Sequence, residues 1–296
     1  MRELRDCWPM RLSLAFDAGL PRPDRMFAYN PAPGFEFEGL PVDVEHRDFM
    51  AAQYWGSRVV ETAAPAPLGL VCVPRSKAQA RDLIARASAL ATDWVVVDGQ
   101  KTDGVESHFK ALRKMGVVVG SVTKAHGRIF WFKPFELSEW SEPPRDVDGL
   151  VTRVGVFSAE KVDAGSAALA EALPDHLGPN VVDLGAGWGW LSREILKRES
   201  VETLTLIEAD RVALDCAREN LKDERARFIW GDATQPRARF DTVVMNPPFH
   251  QGRSGEPALG QAFIRTAAAS LTPRGALWMV ANRHLPYEDT LRAHFG

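Results

Sequence analysis

The stretch "VVDLGAGWGW" (residues 181–190) decides how the second half of this chain is read. Its first four residues form an apolar run of strand type. Gly185, Gly187 and Gly189 then follow at alternate positions. Glycine lacks a Cβ, so it turns the backbone sharply and lets a ligand approach closely. "WLSREILKRE" (190–199) continues with helical spacing. A strand, a glycine loop and a helix in this order place a ligand at the end of an open α/β sheet. Two common versions are excluded. A dinucleotide fingerprint needs its third glycine at position 190, which is Trp190. No GxxxxGK followed by Ser or Thr occurs, and Gly99–Gly104 in "DGQKTDGVE" has only the glycine spacing of that phosphate loop. Taken alone, the loop points to a ligand site, with a tight turn that binds nothing as the lesser reading.

The same rhythm extends outward from the loop. Downstream, "ETLTLIE" (202–208), "ARFIWGD" (226–232), "FDTVVMN" (240–246) and "GALWMVA" (275–281) read as strands. "RVALDCARENLK" (211–222) and "PALGQAFIRTAAASL" (257–271) read as helices, as does "AGSAALAEALP" (164–174) upstream. The first half has its own alternation. Strands are predicted at 68–73, 94–98, 117–122 and 127–134, and helices at 76–91, with Ser76 as N-cap, and 104–116. Strands alternating with helices predict parallel sheets with crossover helices. "FELSEWSEPPRDVDG" (135–149) is polar and acidic, with two adjacent prolines. It is read as a linker, with the boundary near Pro143–Asp148. Two domains are therefore expected, 1–145 and 150–296. Residues 1–65 are rich in Pro and Gly and are expected to be irregular or short-stranded.

Composition narrows the classes. The chain has 296 residues, 45% of them hydrophobic and 25% charged, with net charge −3. That balance argues against a protein held to nucleic acid by bulk charge. Arg225, Arg227, Arg237, Arg239 and Arg253 form either a local basic patch or a solvated surface. Cys7, Cys72 and Cys216 lie far apart with no CxxC, so neither a disulfide scaffold nor a Cys-rich zinc site is expected. The seven histidines show no HExxH-like spacing, and no metal is expected. The N-terminus lacks the apolar core of a signal peptide, and no run reaches about 18 uncharged apolar residues. A cytoplasmic protein without a membrane span is expected.

Acidic residues close three successive predicted strands: Asp183, Glu208 and Asp232. Such a row marks the crevice where open α/β sheets bind ligands. The glycine loop with Asp183 two residues before it resembles motif I of class I S-adenosylmethionine (SAM) methyltransferases. The resemblance implies an α/β fold and a cofactor site. Gly185 and Gly187 would pack against the methionine part of the donor, and Asp183 would anchor its amino end. Glu208 would accept from the ribose hydroxyls and Asp232 from the adenine amino group, with Ala233 and Asn246 completing the set.

The fourth strand of this half ends in "NPPF", Asn246-Pro247-Pro248-Phe249. Neither proline can donate to a ladder, so the strand stops there. The run resembles motif IV of methyltransferases that modify an amino group conjugated to a planar system: adenine N6, guanine N2 or the glutamine amide. Such a nitrogen is a poor nucleophile because its lone pair is delocalised. The Asn246 side-chain carbonyl and the Pro247 backbone carbonyl can accept its two N–H groups and aim the lone pair. Phe249 offers a stacking face, and a paired base would have to leave its stack.

"NPPFHQG" (246–252) and "GVFSAEKVDAGSAALAEALP" (155–174) are similar to the ribosomal RNA small subunit methyltransferase C type and its large-subunit relatives. That likeness implies SAM-dependent methylation of guanine N2 in rRNA, with rRNA or the small subunit as partner. Phe157, Lys161 and Asp163 would lie near the donor, although Asp163 and Ser166 can equally cap a helix. The family's N-terminal domain is a degenerate methyltransferase-like copy without the glycine loop, which fits the first half. Two Rossmann-like domains are expected, the second with the class I SAM fold. Family members continue beyond "HFG" into a final strand pair, so the resemblance also implies a C-terminal domain short of its last strands. His250, Arg283 and His284 are further substrate candidates, and Trp188 and Trp190 are expected to pack helix on sheet. A monomer is expected. Adenine N6 or protein glutamine as acceptor, or a non-catalytic RNA-binding role, are the competing readings.

Overall fold

The computed structural model describes residues 9–235, 238–248 and 257–295. The chain divides into two compact units, one ending at Pro143 and the other starting at Pro144, with Asp48–Met50 grouped with the second. Among the described residues no helix is long and apolar enough to cross a membrane.

The first unit holds helices α1 (Pro9–Asp17), α2 (Phe49–Trp55), α3 (Lys77–Leu90) and α4 (Val105–Lys114). Its strands are β1 (Met26–Tyr29), β2 (Val42–Glu45), β3 (Ala66–Cys72), β4 (Ala91–Gln100), β5 (Val118–Lys124) and β6 (Gly127–Phe132), in the order β2-β1-β3-β4-β6-β5. Alternate strand residues feed two cores. Phe27, Val71, Val95 and Val97 pack with Ile84, Phe109 and Leu112 on one face. Met26, Leu68, Leu70 and Val96 pack with Leu12 and Trp55 on the other. Ser76 caps α3 as expected, its Oγ accepting from the Gln79 N–H at 3.3 Å.

Three expectations for this half need correction. The sheet is mixed, because β6 runs antiparallel to both β4 and β5. Residues 1–65, expected to be irregular or short-stranded, do hold two four-residue strands, β1 inside the sheet and β2 at its edge, but also two helices, α1 and α2, that were not expected. The segment read as linker is partly core, since Leu137 and Trp140 are buried with Phe109 and Phe130.

The second unit opens with a hairpin, β7 (Arg145–Val147) and β8 (Leu150–Thr152), followed by α5 (Ala164–Ala172). Then come β9 (Asn180–Leu184), α6 (Trp190–Leu196), β10 (Thr203–Glu208), α7 (Arg211–Asn220), β11 (Ala226–Trp230), β12 (Phe240–Met245), α8 (Pro257–Ser270), β13 (Leu271–Met279) and α9 (Glu288–Phe295). The five main strands are all parallel, in the order β11-β10-β9-β12-β13. The expected doubly wound sheet is present, with strand order reversing at β9. Val181, Leu204, Leu206 and Val244 pack under α5–α7 with Leu169, Ile195 and Leu214. Val182, Leu184, Ile207, Val243 and Met245 pack under α8 with Phe263 and Ile264. With both faces covered, these strands read as continuous apolar runs.

Candidate functional site

Register brings the site together. Leu184 pairs with Ile207 of β10 and with Met245 of β12. The next residue along each segment is Gly185, Glu208 or Asn246, so these three stand at one level at the strand ends, where the strand order reverses. The cleft above them is lined by Asp183, Gly185, Gly187, Asn246 and residues of the segment before α5.

The loop after β9 is held by its own backbone. Gly185, Gly187 and Gly189 have φ of 76°, 57° and 88°, the left-handed region that glycine enters at little cost. The Gly185 N–H donates to Ile207 O at 2.8 Å, and the Gly189 N–H to Ala186 O at 3.1 Å. The Gly187 N–H donates to Glu208 Oε2 at 2.8 Å, while the Asp210 N–H donates to Oε1 at 2.8 Å. Glu208 thus takes backbone donors on both oxygens, the Ala209 N–H among them, and keeps acceptor capacity beyond these. Burial raises the Glu208 carboxyl above its usual value, against those backbone hydrogen bonds.

Asp183 lies beneath the loop, 1% exposed. Ser192 Oγ, one helical turn into the site, donates to its Oδ2 at 2.7 Å. Burial pushes this carboxyl up to about 7; the Ser192 hydrogen bond opposes the rise and the nearby Glu208 charge adds to it. A buried carboxylate beside a second acid has unmet demand for a cation.

Asn246 is fixed by its amide nitrogen. Nδ2 donates to Asp163 Oδ2 and to Ser166 Oγ, each at 2.8 Å. Asp163 also caps α5 through the Ser166 N–H at 2.8 Å, as the capping reading has it, and it lines the cleft as well. Pro247 is buried and Pro248 exposed. Phe249 and His250 lie outside the described residues. Phe157 stands 61% exposed at the cleft, its carbonyl accepting from Trp188 Nε1 at 3.0 Å.

Other candidates sit differently. Asp232 Oδ1 is taken by the Thr234 N–H at 2.8 Å and Oγ1 at 2.6 Å, with Oδ2 facing Gln235 Nε2 at 3.4 Å. Asp232 is half-buried, Ala233 is in the core, and neither lines the cleft around Asn246. Lys161, Arg283 and His284 are exposed and also stand off that cleft. Arg225, a member of the suggested basic patch, is spent on Asp223 and on the carbonyls of Leu196 and Val201. Arg239 donates to Leu271 O, and Arg237 and Arg253 lie outside the described residues. Trp188 is 5% exposed and packs with Val156 and Cys216, yet it also lines the cleft with Trp190. Ser192 was missed by sequence reasoning; a hydroxyl on the inner face of the helix after a glycine loop was the available signal.

The Methyltransferase small domain family matches residues 149–296. A ribosomal RNA small subunit methyltransferase C from Shewanella halifaxensis is 34% identical over 56% of this chain and 48% of its own, so the chain spans about half that relative's length. One of the same name from Serratia proteamaculans is 32% identical over 75% of this chain and 67% of its own. Among solved structures, a T. thermophilus 16S rRNA N2 methyltransferase in complex with AdoMet and guanosine is similar. It shares 27% identity at a TM-score of 0.77, covering 96% of this chain and 86% of that one.

Proposed function

The chain belongs to the Methyltransferase small domain family, and from that premise we propose that it methylates the exocyclic N2 of a guanine in small-subunit rRNA, using SAM. When bound, SAM supplies an electrophilic methyl group on a cationic sulfur. The site fits such a donor. Asp183 is a buried carboxylate suited to the donor's ammonium. The Gly185–Gly187 turn gives the backbone room to lie against it, and Glu208 keeps lone pairs for a pair of hydroxyls. Asp232 and Ala233 would bound the adenine, and Phe157 would cover the donor.

The amine is handled by the end of β12. The Asn246 carbonyl and the Pro247 backbone carbonyl accept its two N–H bonds and turn the lone pair towards the methyl group. The work is positioning and electrostatics, with no strong base needed. Phe249 would stack on the extruded base. The observation that carries this reading is the register that sets Gly185, Glu208 and Asn246 side by side at the strand ends. Residues 1–145 would be the degenerate domain that helps hold RNA, and 150–296 the catalytic one. We expect a monomer acting in the cytoplasm.

Labelled SAM incubated with rRNA, small subunits or a protein glutamine substrate tests the reading. Label recovered as N2-methylguanosine supports it. Label in N6-methyladenosine or in protein sinks the guanine assignment. Asn246→Ala should keep SAM binding and lose turnover.

A further inference from the structure

We propose that Asp163 and Ser166 are positioning residues that lock Asn246 in the one amide orientation able to receive the target amine; this rests on the reading above. The Asn246 amide nitrogen carries two N–H bonds, and both are spent on protein, one on Asp163 Oδ2 and one on Ser166 Oγ, each at 2.8 Å. Oδ1 is the atom left for the substrate. The lock is directional. A carboxylate oxygen has no hydrogen to donate, so a flipped amide would set Oδ1 against Asp163 Oδ2 and turn its N–H groups towards an amine that also donates.

The clamp is itself anchored. Asp163 is the N-cap of α5. Its Oδ2 takes the Ser166 N–H at 2.8 Å, and its carbonyl takes the Ala167 N–H at 3.0 Å. Gly165 leaves the space, since a Cβ there would meet Asp163 Oδ2 at 3.0 Å. Asp163, Ser166 and Asn246 all line the cleft that holds Asp183 and Gly185. A carboxylate on the NH2 side also polarises the amide and strengthens its carbonyl as an acceptor. Asp163 therefore acts on methyl transfer through Asn246, rather than by holding the donor.

Asp163→Gly, Ser166→Ala and Ser166→Thr in the full chain test this, using SAM as the binding probe and rRNA as substrate. Glycine is tolerated at an N-cap, so the first variant should fold, and it removes the oxygen that receives Asn246 Nδ2. Asp163→Gly should lower kcat roughly ten- to hundredfold at saturating SAM and RNA while leaving SAM affinity unchanged. Ser166→Ala should show a smaller loss of the same kind, and Ser166→Thr should restore the rate. The Asn246 side-chain NH2 signals in a 15N spectrum should be protected from exchange in the parent and lose protection in both damaging variants. A loss confined to SAM affinity, with kcat at saturation intact, would overturn the proposal and make Asp163 a donor ligand. Unprotected Asn246 signals in the parent would overturn it as well. Protected signals that depend on Asp163, in a parent that methylates no guanine, would support the clamp and reject the substrate reading.

Discussion

Replacing Asp183 by asparagine should stabilise the free protein at neutral pH while abolishing donor binding. The side chain is 1% exposed, and burial lifts its carboxyl from the ordinary 3.8 to about 7. An acid whose pKa is higher folded than unfolded binds its proton more tightly in the native state. The stability this confers is complete below about pH 4 and is lost as pH climbs to about 7. One pKa unit is worth about 1.4 kcal/mol, so ionising Asp183 costs the free fold about 4 kcal/mol by pH 8. Asparagine is neutral throughout, and its carbonyl can still accept from Ser192 Oγ. The stability gap between Asp183→Asn and the parent should therefore widen by about 3 kcal/mol from about pH 5 to about pH 8. Urea unfolding without donor, followed by tryptophan fluorescence across that range, measures the gap directly. A gap independent of pH would refute burial as the origin of the perturbed acid. On the proposed function, donor affinity of the parent runs the other way, rising with pH up to about 7 as the carboxylate forms.

Further outcomes follow from other parts of the molecule. Glu208→Gln puts an NH2 against either the Gly187 or the Asp210 N–H; SAM affinity measured by calorimetry should fall roughly tenfold or more, with a stability loss of about 1 kcal/mol. Arg11 and Asp98 are fully buried and paired, Nε to Oδ1 at 2.5 Å and Nη2 to Oδ2 at 2.9 Å. Arg11→Ala strands that carboxylate, and denaturant melts should show a loss of about 3–5 kcal/mol. A Cβ on Gly69 would come within 2.3 Å of the Phe27 ring, so Gly69→Ala should cost about 1–3 kcal/mol; an unchanged Tm would show that the ring has room to move.

Turn chemistry explains part of what sequence reading missed. The β5–β6 hairpin closes on Ala125 and His126, with φ of 51° and 54°. Both are positive, as in the turn that Asn-Gly ordinarily signals. Ala-His carries no such signal, so two strands that run antiparallel were read as part of a parallel sheet. The β7–β8 turn is the reverse case. Asp148 and Gly149, with φ of 57° and 75°, spell a hairpin signal that lay unread inside the segment taken for linker. β1 lies in a stretch expected to be irregular or short-stranded, and it could not be placed there because "MFAY" is four residues long and buried throughout, with no alternation to find.

By itself the amino-acid sequence determined the second unit's strands, its glycine loop, the acids that end its strands and the proline pair that stops β12. These are local properties: apolar runs, missing Cβ atoms and missing N–H groups act on their immediate neighbours. Only the tertiary structure decided which of those residues meet. Asn246 and Asp163 are 83 residues apart in the chain, and no periodicity encodes their hydrogen bond. It exists because the parallel register sets Met245 level with Leu184, while packing of α5 on that sheet brings its N-cap to the same end. A single step in register would carry the asparagine to the opposite face.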